Sequence, residues 1–305
     1  MGKFSKASSQ ARSVIHSLQN ISEQQRQNHE KMALPSLGTA RDFQECLTHV
    51  GSWMKANHLG SLRELSKDLA ISYLEMRAEE IGQKALDQER QAMQKMLQVI
   101  THQLSADEKL PVIKSIFPQV LEARAYSKEQ MLAIAAAQTP PFALATELAY
   151  ASGLRAHELL TLRPIEERSP DERPASDLKF TGRPKGKLYT VKGKGGLVRV
   201  VSIPIELSER LEKCRLATSE TVCDRTIYYK KFYDVAGGKS WSNSFSKASS
   251  RVLEFSNGAH GLRHAYAQDR MLELQKSGRN RQKALEVVSQ ELGHFRPEIT
   301  ETYLR

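Results

Sequence analysis

Arg155, Lys194, His260, Arg263, His294 and Tyr303 are the side chains of this sequence best suited to chemistry on a charged group, and each is a weak signal alone. Arg155 stands in Gly153-Leu154-Arg155-Ala156-His157-Glu158-Leu159, read as the start of a helix, where the plain reading is a surface arginine paired with Glu158. Lys194, in Gly193-Lys194-Gly195-Gly196, reads as a solvated turn residue, and the run lacks the G-x-x-x-x-G-K-S/T spacing of a phosphate-cradling loop. His260, Arg263 and His264 share one helical face at i, i+3 and i+4. Two histidines at that spacing, with His294 as a third ligand, would suit zinc. However, no glutamate adjoins the first histidine and no cysteine lies nearby, so no metal is assigned.

The order of these residues says more than any one of them. Arg155, Lys194, His260-x-x-Arg263, Leu292-Gly293-His294 and Tyr303 follow one another, with Tyr303 nine residues after His294. The stretches ASGLRAHELLTL, VKGKGGLVRVVSIP, HGLRHAYA and LGHFRPEITETYLR together resemble the tyrosine recombinase (phage integrase) family. In that family the corresponding positions are two arginines, a hairpin lysine, two histidines and a nucleophilic tyrosine. The resemblance covers residues 127–305, and the helical part before it resembles the family's core-binding domain less specifically.

The resemblance implies a role for each residue, and elementary chemistry agrees. A phosphodiester attacked by a tyrosine hydroxyl passes through a phosphorane whose charge needs fixed cations. Arg155 and Arg263 each offer a planar fork of donors for the non-bridging oxygens. Tyr303 is the nucleophile of a 3′-phosphotyrosyl link, and Lys194 is the acid for the leaving 5′-oxygen. His260 and His294 bind the phosphate and help move the tyrosine proton, Glu158 orients Arg155, His264 packs on its helix and His157 is exposed. Lys192, Arg199, Arg279 and Arg281 are further candidates for DNA contact. The resemblance further implies double-stranded DNA sites as partner, a homotetramer in the synaptic complex, accessory DNA-bending proteins in some systems, and no cofactor. The activity expected is site-specific integration or excision of a mobile element. Two alternatives stay open: a type IB topoisomerase-like relaxing enzyme, and a non-catalytic DNA-binding accessory protein on the same scaffold.

Three features depart from the compact members of that family. Arg155 and Lys194 are 39 residues apart, with a Pro-, Gly- and charge-rich insert over 164–183 that reads as a loop. A basic insert, 275–283, lies between Arg263 and His294. Two residues follow Tyr303, where many relatives continue into a helix that docks onto the next protomer; that helix is either missing here or supplied from elsewhere.

The elements that must position these residues are mostly helical. Residues 1–38 are polar, with one stripe at Ala11, Val14, Ile15, Leu18 and Ile21, and read as a mobile arm or a helix ordered by a partner. Residues 39–122 read as a helical core-binding domain of about four helices, opened by a Thr39/Asp42 cap, with a second helix from Ser66 that Gly82 ends. Residues 123–305 read as the catalytic domain, reached through a linker near 105–126. Ser127 and Gln130 form a capping box for a helix over 128–137, and Pro141 starts the next helix. Strands at 187–191 and 197–203 flank the glycine turn, and helices follow at 205–216, 242–254, 260–276 and 281–292. The fold class expected is mainly α (α+β), with one small antiparallel sheet.

Composition narrows the rest. The chain has 305 residues and a formal charge of +10, with 29 basic against 21 acidic side chains after residue 126 and 16 against 14 before it. A polyanion partner should therefore dock mainly on the second part. Three scattered cysteines rule out a disulfide framework. No apolar run reaches the roughly 18 residues a membrane span requires, and no secretory leader is read at the N-terminus. A cytoplasmic, nucleoid-associated protein is the expectation.

Overall fold

A computed structural model describes residues 5–28, 33–119, 121–173 and 175–305, and the backbone but not the side chain of Lys194. The chain divides into two compact units, Met1–Val120 and Leu121–Arg305.

The first unit is a helical bundle: α1 (Ala7–Gln27), α2 (Leu37–Ala56), α3 (Lys67–Ala78) and α4 (Gln83–Val99). The stripe Ala11, Val14, Ile15 and Leu18 is buried in the same core as Phe43, Leu47 and Val50 of α2, and Met93, Met96 and Leu97 of α4. Residues 7–27 are thus part of the bundle rather than a separate arm. Gly51 makes this possible, since a Cβ there would lie 3.3 Å from that of Ala7. Ser36, not Thr39, caps α2 by accepting from the Thr39 amide at 3.1 Å. Ser66 caps α3 as expected, whereas Gly82 precedes α4 rather than ending α3. The expected linker starts too early at 105: Leu110 is buried in this core, and the Ile116 amide donates to Ala78 O at 3.1 Å.

The second unit opens with α5 (Lys128–Ala136), where both halves of the Ser127/Gln130 capping box form. After α6 (Pro140–Ser152) comes a three-stranded antiparallel sheet: β1 (Arg163–Pro164), β2 (Gly186–Lys192) and β3 (Val198–Pro204). A short 3-10 turn, Lys194–Gly196, joins β2 to β3. Period-two alternation on β3 sends Arg199, Val201 and Ile203 to the buried side. Helix α7 (Ile205–Lys213) is shorter than expected because the chain enters a second hairpin that the sequence reading missed, β4 (Arg215–Asp224) and β5 (Ile227–Tyr233). Four helices complete the unit: α8 (Gly238–Leu253), α9 (Gly261–Lys276), α10 (Arg281–Glu291) and the short α11 (Pro297–Thr300). The architecture is mainly helical with small antiparallel sheets. No helix of the described residues is long and apolar enough to cross a membrane.

Candidate active site

The site is built where the end of α6, strand β3, the first turn of α9 and the turn after α10 converge. Helix α6 stops at Gly153 in a left-handed conformation (φ 60°), and a Cβ there would lie 2.9 Å from the Tyr266 ring, so only glycine fits. The chain then turns through Arg155 into a 3-10 turn, Glu158–Thr161. Arg155 therefore sits in a turn and not, as expected, on a helix. Its amide donates to Glu158 Oε2 at 2.9 Å and its Nη1 to Oε1 at 2.7 Å.

Glu158 is fully buried and faces three guanidinium groups. Arg155 is one; Arg199 Nη2 donates at 2.7 Å, and Arg263 Nη1 lies at 4.0 Å. Burial alone would raise the carboxyl pKa, but Arg199, Arg155 and Arg263 outweigh it and hold Glu158 well below the ordinary carboxylate range. Arg263, also fully buried, donates from Nη1 to Gly153 O at 2.5 Å, and from Nη2 to Leu292 O and to His294 Nε2, the latter at 2.9 Å. Burial, then repulsion from Arg155, lowers its pKa to about 10, so it stays protonated at neutral pH.

Tyr303, in the 3-10 turn Glu301–Tyr303, reaches this cluster through its hydroxyl. Its hydroxyl lies 3.3 Å from His294 Nε2 and accepts from Arg263 Nε at 3.4 Å. The rings of His264, His294 and His260 surround it at centroid distances of 4.9, 5.2 and 5.5 Å. Loss of hydration, followed by the nearby arginines, pushes His294 down to about 3; loss of hydration, then Arg263 and His264, pushes His260 down to about 4. Burial, then Arg124, takes His264 to about 4.

Five of the six expected residues thus meet: Arg155, His260, Arg263, His294 and Tyr303. Lys194 is on the hairpin turn at the site's edge, and its side chain lies outside the described residues. The arrangement offers one hydroxyl, a neutral imidazole beside it, and fixed cations behind it.

Neither a protein-family model nor a curated protein sequence matches the chain. Solved structures do match. A lambda integrase tetramer bound to a Holliday junction superposes over 95% of this chain and 76% of its own, with a TM-score of 0.54 and 16% identity. This is the tyrosine recombinase fold. XerH site-specific recombinase bound to its difH substrate matches over 87% of this chain and 75% of its own (TM-score 0.52, 17% identity). The Tn1549 transposon integrase in complex with circular intermediate DNA matches over 94% of each chain (TM-score 0.52, 16% identity).

Within the tyrosine recombinase fold, several expectations need correction. Arg199 is not a surface contact: it is 3% exposed and faces inward with Val201 and Ile203. Its in-phase position on an alternating strand was the signal that would have found it. Lys192 and Arg279 are exposed, and Arg281 is exposed but paired with Glu301. His157 is half-buried beside the Tyr229 ring rather than exposed. His264 does more than pack on its helix, since it forms one wall of the tyrosine pocket.

The later part of the 164–183 insert, residues 176–183, is docked rather than solvated. Ser176 and Phe180 amides donate to Gln290 Oε1 (2.6 Å) and Glu291 Oε1 (2.8 Å), and Leu178 joins the apolar cluster that contains Tyr303. Arg183 adds a two-toothed pair with Glu273 and stacks over Tyr266. Irregular backbone here is docked through its own amides, which a composition reading takes for solvent exposure.

Proposed function

We propose that this chain is a site-specific DNA recombinase that cleaves and rejoins strands through a 3′-phosphotyrosyl intermediate. The observation that carries the reading is the Tyr303 hydroxyl, held within reach of both Arg263 and His294 beside the Arg155–Glu158 pair. The Tyr303 oxygen attacks phosphorus, the bond to the 5′-oxygen breaks, and the transferred bond energy stays in the phosphotyrosyl link, so no high-energy cofactor is needed. Neutral His294 takes up the tyrosine proton through Nε2 once a phosphate oxygen replaces that nitrogen as the acceptor of Arg263 Nη2. Arg155 and Arg263 balance the charge that develops on the non-bridging oxygens. Lys194, on its hairpin turn, supplies the proton for the departing 5′-oxygen.

In this reading, unit Leu121–Arg305 is the catalytic domain and the preceding bundle is the core-binding domain. The partner is a pair of duplex recombination sites held by a homotetramer, with bending proteins assisting where site geometry requires them. The setting is the cytoplasm, in association with the nucleoid, and the task is integration or excision of a mobile element.

The test is capture of covalent adducts under denaturing conditions, using DNA that flanks the gene and comparing wild type with Tyr303→Phe. Adducts at one discrete position, in wild type only, support the proposal. Adducts scattered without sequence preference would replace it with a relaxing, topoisomerase-like activity. Tight binding with no adduct on a nicked suicide substrate would replace it with an accessory DNA-binding role.

A further inference from the structure

Strand β3 leaves the Lys194 turn and, five residues later, points Arg199 into the protein beneath the site. The buried guanidinium makes three ties there. Nη2 donates to Glu158 Oε2 at 2.7 Å, with Nε at 3.4 Å from Oε1, and so grips the carboxylate that holds Arg155. The same Nη2 lies 3.4 Å from Gly153 O, the carbonyl that also accepts from Arg263. Nη1 donates at 2.5 Å to Glu291 O, one residue before the carbonyl that Arg263 holds and three before His294. Arg199 and Arg263 are therefore two parallel rungs between the same two turns. Arg263 is on the side of Tyr303, and Arg199 has no bond to Tyr303, His260 or His294 among the described contacts.

The charge inventory fits a dianion. Three guanidinium groups face one carboxylate, an excess of two positive charges before any substrate arrives. A phosphodiester carries one negative charge and its phosphorane two, so the excess matches the transition state more closely than the ground state. Arg199 supplies one of those charges from behind and fixes the distances between the others.

We propose that Arg199 is a positioning residue for strand cleavage, tying the Lys194 hairpin to Glu158 and to the turn that carries His294 without touching the phosphate. This rests on the recombinase reading above. It assigns a mechanical role to β3: displacement of the hairpin by DNA is transmitted to Arg155 and His294 through one side chain. A lysine at this position keeps the charge but cannot span all three acceptors.

The experiment is single-turnover cleavage of a nicked suicide duplex by wild type, Arg199→Met and Arg199→Lys, with DNA affinity and melting temperature measured on the same preparations. A second duplex carries a methylphosphonate at the scissile position, where a methyl group replaces one non-bridging oxygen and removes the charge. Arg199→Met is expected to cleave the phosphate duplex about 100-fold more slowly, with affinity within about threefold of wild type. On the methylphosphonate duplex the gap should shrink to about tenfold or less, because less charge remains to be balanced. Arg199→Lys should fall between Arg199→Met and wild type, and it carries the test if Arg199→Met does not fold. Equal losses on both duplexes would overturn the proposal in favour of a purely structural role. Cleavage within about threefold of wild type would also overturn it, as would a loss of affinity matching the loss of rate. Absence of adduct from wild type itself would sink the recombinase reading, a result separate from an active wild type with an unaffected variant.

Discussion

His294 and Tyr303 stack with their rings 5.2 Å apart and 24° from parallel, and the tyrosine hydroxyl lies 3.3 Å from His294 Nε2. Arg263 donates into the same nitrogen, so Nε2 is the acceptor and the imidazole proton is on Nδ1. Nδ1 is buried and has no partner among the described residues. The single Nε2 lone pair therefore accepts from Arg263 at 2.9 Å, and the tyrosine hydroxyl meets the same nitrogen at the longer 3.3 Å.

Replacing Tyr303 with phenylalanine should remove all covalent adduct while leaving DNA affinity within about twofold. The hydroxyl's two contacts, at 3.3 and 3.4 Å, are long, so the melting temperature should change little. Adduct retained by this variant would identify another nucleophile.

The two expected catalytic arginines should behave differently on truncation. Arg155 is 20% exposed, so Arg155→Ala should fold and bind DNA while cleaving about 10²–10³-fold more slowly. Arg263 is fully buried and satisfies two backbone carbonyls, so Arg263→Ala should also lose about 3–5 kcal/mol of stability. Chemical denaturation of both variants separates the two effects. Equal stabilities would show that the burial of Arg263 carries no structural weight.

Glu158→Ala leaves three arginines without their counter-charge in a closed space. The expected loss is about 3–5 kcal/mol, with Glu158→Gln smaller because its side-chain oxygen still accepts. Reversal of that order in urea melts would contradict the charge argument.

Stability should fall on mild acidification. His294 and His260 have folded pKa values near 3 and 4, below the ordinary 6.5 that applies when unfolded. Above that ordinary value neither state is protonated and the contribution is intact. As pH falls from it toward the folded values, only the unfolded chain gains the proton, so stability is lost through that window. The melting temperature of the DNA-free protein should drop between about pH 7 and pH 5, and less steeply in His294→Gln. Equal slopes would mean that His294 is not held neutral.

Replacing residues 176–181 with a Gly/Ser run removes the Leu178 contact with the Tyr303 cluster and loosens the backbone that presents the 176 and 180 amides to Gln290 and Glu291. Hydrogen exchange should then accelerate in residues 291–304. Unchanged protection there would return the insert to the solvated loop that its composition suggested.

Much of this molecule was legible from local rules. The Ser127/Gln130 box, the Ser66 cap and the glycine turn at 193–196 depend on neighbours within a few residues, and each is where the sequence places it. The order from Arg155 to Tyr303 is likewise a property of the chain. The sequence could not show which arginines lie inside. An arginine reads as surface unless its partner is visible, and Arg199 meets Glu158 across 41 residues and the Glu291 carbonyl across 92. The docking of 176–180 on α10 spans more than 100 positions and uses backbone amides that every residue possesses. Helix α1 looked like an arm because its narrow apolar stripe has meaning only against the face that Gly51 opens on α2. Period and caps are local and were determined by the sequence alone. Burial of charge depends on long-range closure, and only the tertiary structure decided it.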